Sequence, residues 1–236
     1  MSRKPSVLIV SAFAPELAPL ARWLAGPSGR RFKTIVHAVP VGIGSIDAGV
    51  GAAAAIAQIT PDVVLFVGTG GSYGRRPAIG DVAIAARIRL VSTAALRAQG
   101  YLPKPMHVLD ATDAPLRREL LLSAGGRGCV TDVATPLSIT TAPPLVELVA
   151  GKTRADVENL EVFGVARAVS RARLPFGALL GITNRVGPQA HREWVAHQAQ
   201  ATAAACAVAA SWLEGRFAGV RPARRTRRAQ GAQSKT

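Results

Sequence analysis

Phe176-Gly177-Ala178-Leu179-Leu180-Gly181-Ile182 is an apolar run that stops at Thr183-Asn184-Arg185-Val186-Gly187-Pro188. An uncharged run of this length, closed by polar residues and a Gly-Pro pair, reads as a strand buried on both faces of a parallel sheet. The polar end of such a strand is where α/β proteins place ligand-contacting groups. Upstream, Val157-Glu158-Asn159-Leu160-Glu161 sets a carboxylate pair at the mouth of a helical pattern. An amide at one tip and a carboxylate at the neighbouring one suit a ligand that carries both a heterocycle and hydroxyls.

Working outward, the same alternation recurs. Val7-Leu8-Ile9-Val10 is a short apolar strand that opens onto Ser11-Ala12-Phe13-Ala14-Pro15-Glu16, and Pro15 suits the first turn of a helix through Leu17, Leu20, Trp23 and Leu24. Phe32 to Val39 reads as a second strand. The glycine-rich stretch 42–49 then leads into an Ala-rich helix from Val50 to Gln58. Val63 to Val67 is the strongest β-branched run and ends in a tip, Gly68-Thr69-Gly70-Gly71-Ser72, where backbone can approach a ligand closely.

Ile79 to Ala85 is a further turn and strand, and patterning is weak from Leu90 to about Cys129, with Leu116 to Leu122 the best helix there. Val130 to Thr140 offers one or two strands, Pro144 to Gly151 a helix, and about Arg192 to Leu213 a long Ala-rich helix. Short apolar strands alternating with helices argue an α/β fold with a mixed, largely parallel sheet.

The 236 residues suffice for one well-buried domain, and 49% hydrophobic with 18% charged residues is a globular composition. The domain is expected over residues 6–217, between a disordered start (1–5) and a basic disordered tail (218–236). Of the formal charge of +15, six positive charges (Arg221, Arg224, Arg225, Arg227, Arg228 and Lys235) fall in that tail. The tail lacks aromatic interleaving, so nucleic acid is expected as no more than a weak contact there. Cys129 and Cys206 form no disulfide framework, and the four histidines are scattered, so neither a metal nor another cofactor is expected. No apolar stretch approaches a membrane span, and a cytoplasmic, membrane-free protein is expected.

The order of segments Val7–Leu20, Gly42–Ala53, Pro61–Val82 and Asp156–Trp194 resembles the purine nucleoside phosphorylase and methylthioadenosine/adenosylhomocysteine nucleosidase superfamily. Within it, Val157-Glu158-Asn159-Leu160-Glu161 is similar to the Val-Glu-Asn-Met-Glu of futalosine hydrolases, which serve menaquinone biosynthesis. Thr183-Asn184-Arg185-Val186-Gly187, followed by Trp194, is similar to their Ser-Asn-x-Val-Gly and downstream Trp. The resemblance implies a three-layer α/β/α fold, a nucleoside substrate, water as nucleophile and a homodimer or larger homo-oligomer.

It also implies roles. Glu16 matches the carboxylate that positions and deprotonates the attacking water, and Glu161 the one that takes the ribose 2′- and 3′-hydroxyls. Thr69, Gly70 and Gly71 match the tip lining the nucleoside site, with Leu160 at the position of a ribose-packing Met and Thr183 a further substrate-binding residue. Asn184 stands where adenine-specific nucleosidases place an Asp that acts as an acid toward N7. An amide can donate a hydrogen bond but no proton, which fits a 6-oxopurine such as the hypoxanthine of futalosine.

The loop from Ser11 to Glu16 carries a carboxylate where a phosphorylase has an arginine, which favours hydrolysis. Arg75 and Arg76 are alternative phosphate ligands on an exposed turn. Three departures keep other readings open: Ser45 for a Lys, Leu180 for an Arg, and Val162-Phe163 for a small pair that could narrow the pocket. The alternatives are a purine nucleoside phosphorylase, an adenine-releasing nucleosidase, or a non-catalytic nucleoside-binding protein.

Overall fold

A computed structural model describes residues 4–29, 34–74 and 76–217. The expected disordered ends lie outside these residues, apart from Lys4 and Pro5, as do Arg75 and the start of the strand expected at Phe32.

The chain begins β1 (Ser6–Ser11), α1 (Ala14–Ala25), β2 (Ile35–Pro40), α2 (Ser45–Ile59) and β3 (Val63–Ser72). It continues β4 (Val82–Val91), α3 (Thr93–Leu96), β5 (Leu109–Ala111), α4 (Ala114–Ala124), β6 (Gly128–Pro136) and α5 (Pro143–Thr153). It closes with β7 (Val157–Glu158), α6 (Val162–Ala172), β8 (Phe176–Arg185) and α7 (Ala190–Phe217).

The strands form one eight-stranded mixed sheet. β1 pairs in parallel with β2 and β3, β3 with β8, and β6 with β4 and β7; the β3–β7, β4–β5 and β4–β8 pairs are antiparallel. Followed round, β3, β8, β4, β6 and β7 return to β3 and so close a ring.

Side-chain alternation explains the three layers. In β1, Leu8 and Val10 face α2 and α6, whereas Val7 and Ile9 face α1, α4 and α7. β3 splits the same way, with Val64 and Phe66 on the first face and Leu65 and Val67 on the second. A strand covered on both sides has no polar face, which is why these runs lack alternation. The apolar run that opens the reading is β8, and Phe176, Ala178, Leu180 and Ile182 all enter the α2/α6 layer.

Two expected boundaries move. The helix anticipated from Val50 starts at Ser45, because Gly49 and Gly51 lie inside it as contact points and not as breakers. The tip expected after Val67 is strand as far as Ser72, since Gly68 to Ser72 pair with Leu180 to Arg185 of β8. Among the described residues, no helix is long and apolar enough to cross a membrane.

Candidate active site

At the ends of β3, β7 and β8 the sheet opens into a cavity of about 400 Å³. Its wall includes Glu16, Thr69, Gly70, Gly71, Leu160, Glu161, Thr183 and Asn184, so the eight residues singled out from the sequence share one space. Four separate segments deliver them: the first turn of α1, the end of β3, the β7–α6 junction and the end of β8.

Glu16 enters from the turn after β1. Pro15 sits in the first turn of α1, whose free N–H groups it does not disturb. The carboxylate folds back over that turn, accepting from the Ala12 N–H at 3.3 Å and from the Thr69 hydroxyl at 3.0 Å. Glu16 is 5% exposed. Burial pushes its carboxyl up from 4.5 to about 7; the Thr69 hydrogen bond opposes the rise and the Glu161 charge adds to it. Thr69 is in turn oriented by Trp194, whose Nε1–H donates to its Oγ1 at 3.3 Å, leaving the hydroxyl proton for Glu16. Cys206, buried on α7, donates its S–H to the Glu16 carbonyl, and burial lifts its thiol to about 11, so it behaves as a small core residue.

Glu161 is held from two sides. The Gly44 N–H, at the entry of α2, donates to Oε1 at 2.9 Å, and the Asn159 amide donates to Oε2 at 3.0 Å. Burial raises its carboxyl above the ordinary range, against these two donors. The glycine-rich stretch before α2 therefore supports a carboxylate through backbone, and the missing lysine at Ser45 leaves that bond intact.

Asn184 is oriented by neighbours on its own strand. Its Oδ1 accepts from the Thr183 hydroxyl at 2.7 Å, and its Nδ2 donates one hydrogen to the Arg185 carbonyl at 3.0 Å. One N–H is left to donate to a ligand. Gly71 permits this approach, since a Cβ there would stand 2.7 Å from Nδ2.

Sequence reasoning left several wall residues without a role. Glu158 is buried in the wall, accepting from the Tyr73 hydroxyl and from the Thr140 N–H at 2.9 Å. Burial, with the Glu158 charge adding to it, drives the Tyr73 hydroxyl above its ordinary value. Phe13 and Trp194 line the cavity, whereas Tyr73 packs beside a small cluster of Val91, Ala134, Val149 and Ala155. His191 stacks on Trp194 with ring centroids 6.1 Å apart, and Ile43 and Ile139 complete the rim. No periodicity marks them, because rim residues come from loops and helix starts.

The departures resolve by position. Leu180, Val162 and Phe163 belong to the α2/α6 core and none faces the cavity. The extra bulk of Val162-Phe163 therefore fills the core and does not narrow the site. Close α2–α6 contact is secured instead by Gly164, where a Cβ would fall 1.9 Å from the Ser45 carbonyl oxygen. Arg76 is exposed and outside the wall.

Comparison with known proteins agrees with this architecture. The chain is 29% identical over 202 residues to a futalosine hydrolase of Acidothermus cellulolyticus, covering 79% of this chain and 82% of that one. A futalosine hydrolase mutant of Helicobacter pylori superposes with a TM-score of 0.80 at 15% identity, over 89% of this chain and 99% of the other. The 5′-methylthioadenosine/S-adenosylhomocysteine nucleosidase of the same organism gives 0.81 at 14% identity, over 91% and 100%. The family model of the phosphorylase superfamily matches residues 6–214, and the chain belongs to that superfamily.

Proposed function

We propose that this chain is a nucleosidase that hydrolyses the N-ribosidic bond of a 6-oxopurine nucleoside, with futalosine as the substrate of the menaquinone pathway. One observation carries the choice of water over phosphate. The described cavity wall holds three carboxylates (Glu16, Glu158 and Glu161) and neither lysine nor arginine. Such a wall repels a phosphate dianion and welcomes a ribosyl group that becomes cationic in the transition state.

In this reading Glu16 takes a proton from water as the water oxygen bonds to C1′ and the glycosidic electron pair leaves with the base. A carboxyl near 7 is matched to that task at neutral pH. Glu161 accepts from the ribose hydroxyls, bonds that strengthen as charge develops on the sugar. The free N–H of Asn184 donates to N7 or to the 6-oxo oxygen, and the departing hypoxanthine takes its proton from solvent. The relation to the Acidothermus futalosine hydrolase supports this choice of substrate.

A homodimer is part of the proposal. Ile43 and Ile139 line the cavity yet are 65% and 54% exposed, and Ile46 and Val50 extend that apolar face along α2. A second copy seated there would cover the rim and the 5′ side of the nucleoside.

The test is a panel of futalosine, inosine, adenosine and methylthioadenosine, scored for free base. Hypoxanthine from futalosine at a kcat/KM at least about tenfold above adenine from methylthioadenosine is expected. Adenine release dominating would favour the adenine nucleosidase reading. No release from any of the four would favour a nucleoside-binding protein.

A further inference from the structure

We propose that Asn159 is a positioning residue that sets the sugar selectivity of this site by fixing the Glu161 carboxylate. The inference rests on the nucleosidase reading above and assigns a role to a residue outside the reacting groups.

Asn159 lies between β7 and α6 and is 6% exposed. All four hydrogen-bonding positions of its amide are occupied. Oδ1 accepts from the N–H groups of Glu161 and Val162, at 2.9 and 2.8 Å. Nδ2 donates to the Thr69 carbonyl at 2.9 Å and to Glu161 Oε2 at 3.0 Å. This pattern assigns the amide orientation: turned over, it would set its hydrogens against two N–H groups and its oxygen against two oxygens. The two ends do different work. The oxygen caps the start of α6, a local structural task that Glu161, the helix N-cap, does not perform with its own side chain. The nitrogen ties one carboxylate oxygen of Glu161 to β3, at the residue whose hydroxyl sits on Glu16.

The other donors to the Glu161 carboxylate are backbone groups, the Gly44 N–H on Oε1 at 2.9 Å and the adjacent Leu160 and Glu161 N–H groups. Without the Asn159 amide, Oε2 loses its side-chain tether and can turn away from a diol. The loss is felt where the substrate has hydroxyls to present, and little where it lacks one.

Asn159→Asp separates the tasks. It is isosteric and keeps an oxygen on the two helix N–H groups, where an added negative charge suits the helix terminus. It replaces both donated bonds with oxygen facing oxygen. The experiment measures kcat and KM for inosine and 2′-deoxyinosine in the wild type, Asn159→Asp, Glu161→Gln and the double variant, with circular dichroism confirming the fold. Asn159→Asp is expected to lower kcat/KM for inosine about 10- to 100-fold, with KM rising, while 2′-deoxyinosine changes less than about threefold. In the Glu161→Gln background the same substitution is expected to add less than about threefold, because its effect passes through Glu161.

Equal loss on both sugars, or multiplicative loss in the double variant, would overturn the inference, as would an unchanged sugar preference. A wild type that releases base from neither nucleoside nor from futalosine overturns the nucleosidase reading and this inference with it, and one active on futalosine alone overturns this inference. A wild type that is active beside an unaffected Asn159→Asp overturns this inference alone.

Discussion

The residue on which most turns is Glu16. Its carboxyl lies buried against Thr69 and Ala12, and burial raises it to about 7 from an ordinary 4.5. The folded state then holds a proton that the unfolded chain has already released between those pH values. Stability from this group is full below about pH 4.5 and is lost as pH rises through 7, by on the order of 3 kcal/mol at most. Glu16→Gln removes the buried charge, so its melting temperature should exceed that of the wild type at pH 8 and show no gain near pH 4, read by thermal unfolding. The same variant should lose at least about 100-fold in kcat while nucleoside affinity by calorimetry stays within a few fold. If Glu16 acts as the base, kcat/KM should climb with pH through about 7, because only the ionised form accepts the proton. Asn184→Asp would give the base site a group able to carry a proton. Adenine release from methylthioadenosine should rise at least about tenfold relative to hypoxanthine release.

At the scale of elements, much of the site was legible because its strands are buried on both faces and end in polar residues. β1, β3 and β8 announce themselves as apolar runs, and Glu16, Thr69 and Asn184 follow at or beside their ends. What stayed hidden has physical causes. β5 has three residues, too few for any period to register. Glycines in α2 and β3 read as breaks because local propensity counts against them, whereas here they admit neighbours: Gly51 admits the Val41 carbonyl, and Gly71 the Asn184 amide. Gly164→Ala should drive α2 from α6 and carry the Gly44 N–H away from Glu161. A severalfold rise in KM for inosine, with a lowered melting temperature, would show both effects. Leu180, fully buried in the α2/α6 layer, should cost about 2–5 kcal/mol when cut to Ala, measured by denaturant unfolding.

For the whole molecule, ring closure of β3, β8, β4, β6 and β7 brings strands distant in sequence to one opening. Length foretold one domain and the alternation of strands with helices an α/β fold, but this closure rests on the short antiparallel β7 contact, whose pairing no sequence signal marks. The exposed Ile43, just before α2, and Ile46 and Val50 on it leave an apolar face beside that opening. If the proposed second copy seats there, Ile46→Glu should shift the protein toward monomer in sedimentation velocity and raise KM for futalosine. On the proposed reading, a carboxylate-walled site activates water on a nucleoside. The most direct measurement of that step is hypoxanthine release from futalosine in oxygen-18 water, with and without phosphate. Release at one rate in both, with the label on the freed sugar, is the expected result. Release only with phosphate, giving a sugar 1-phosphate without label, would contradict it.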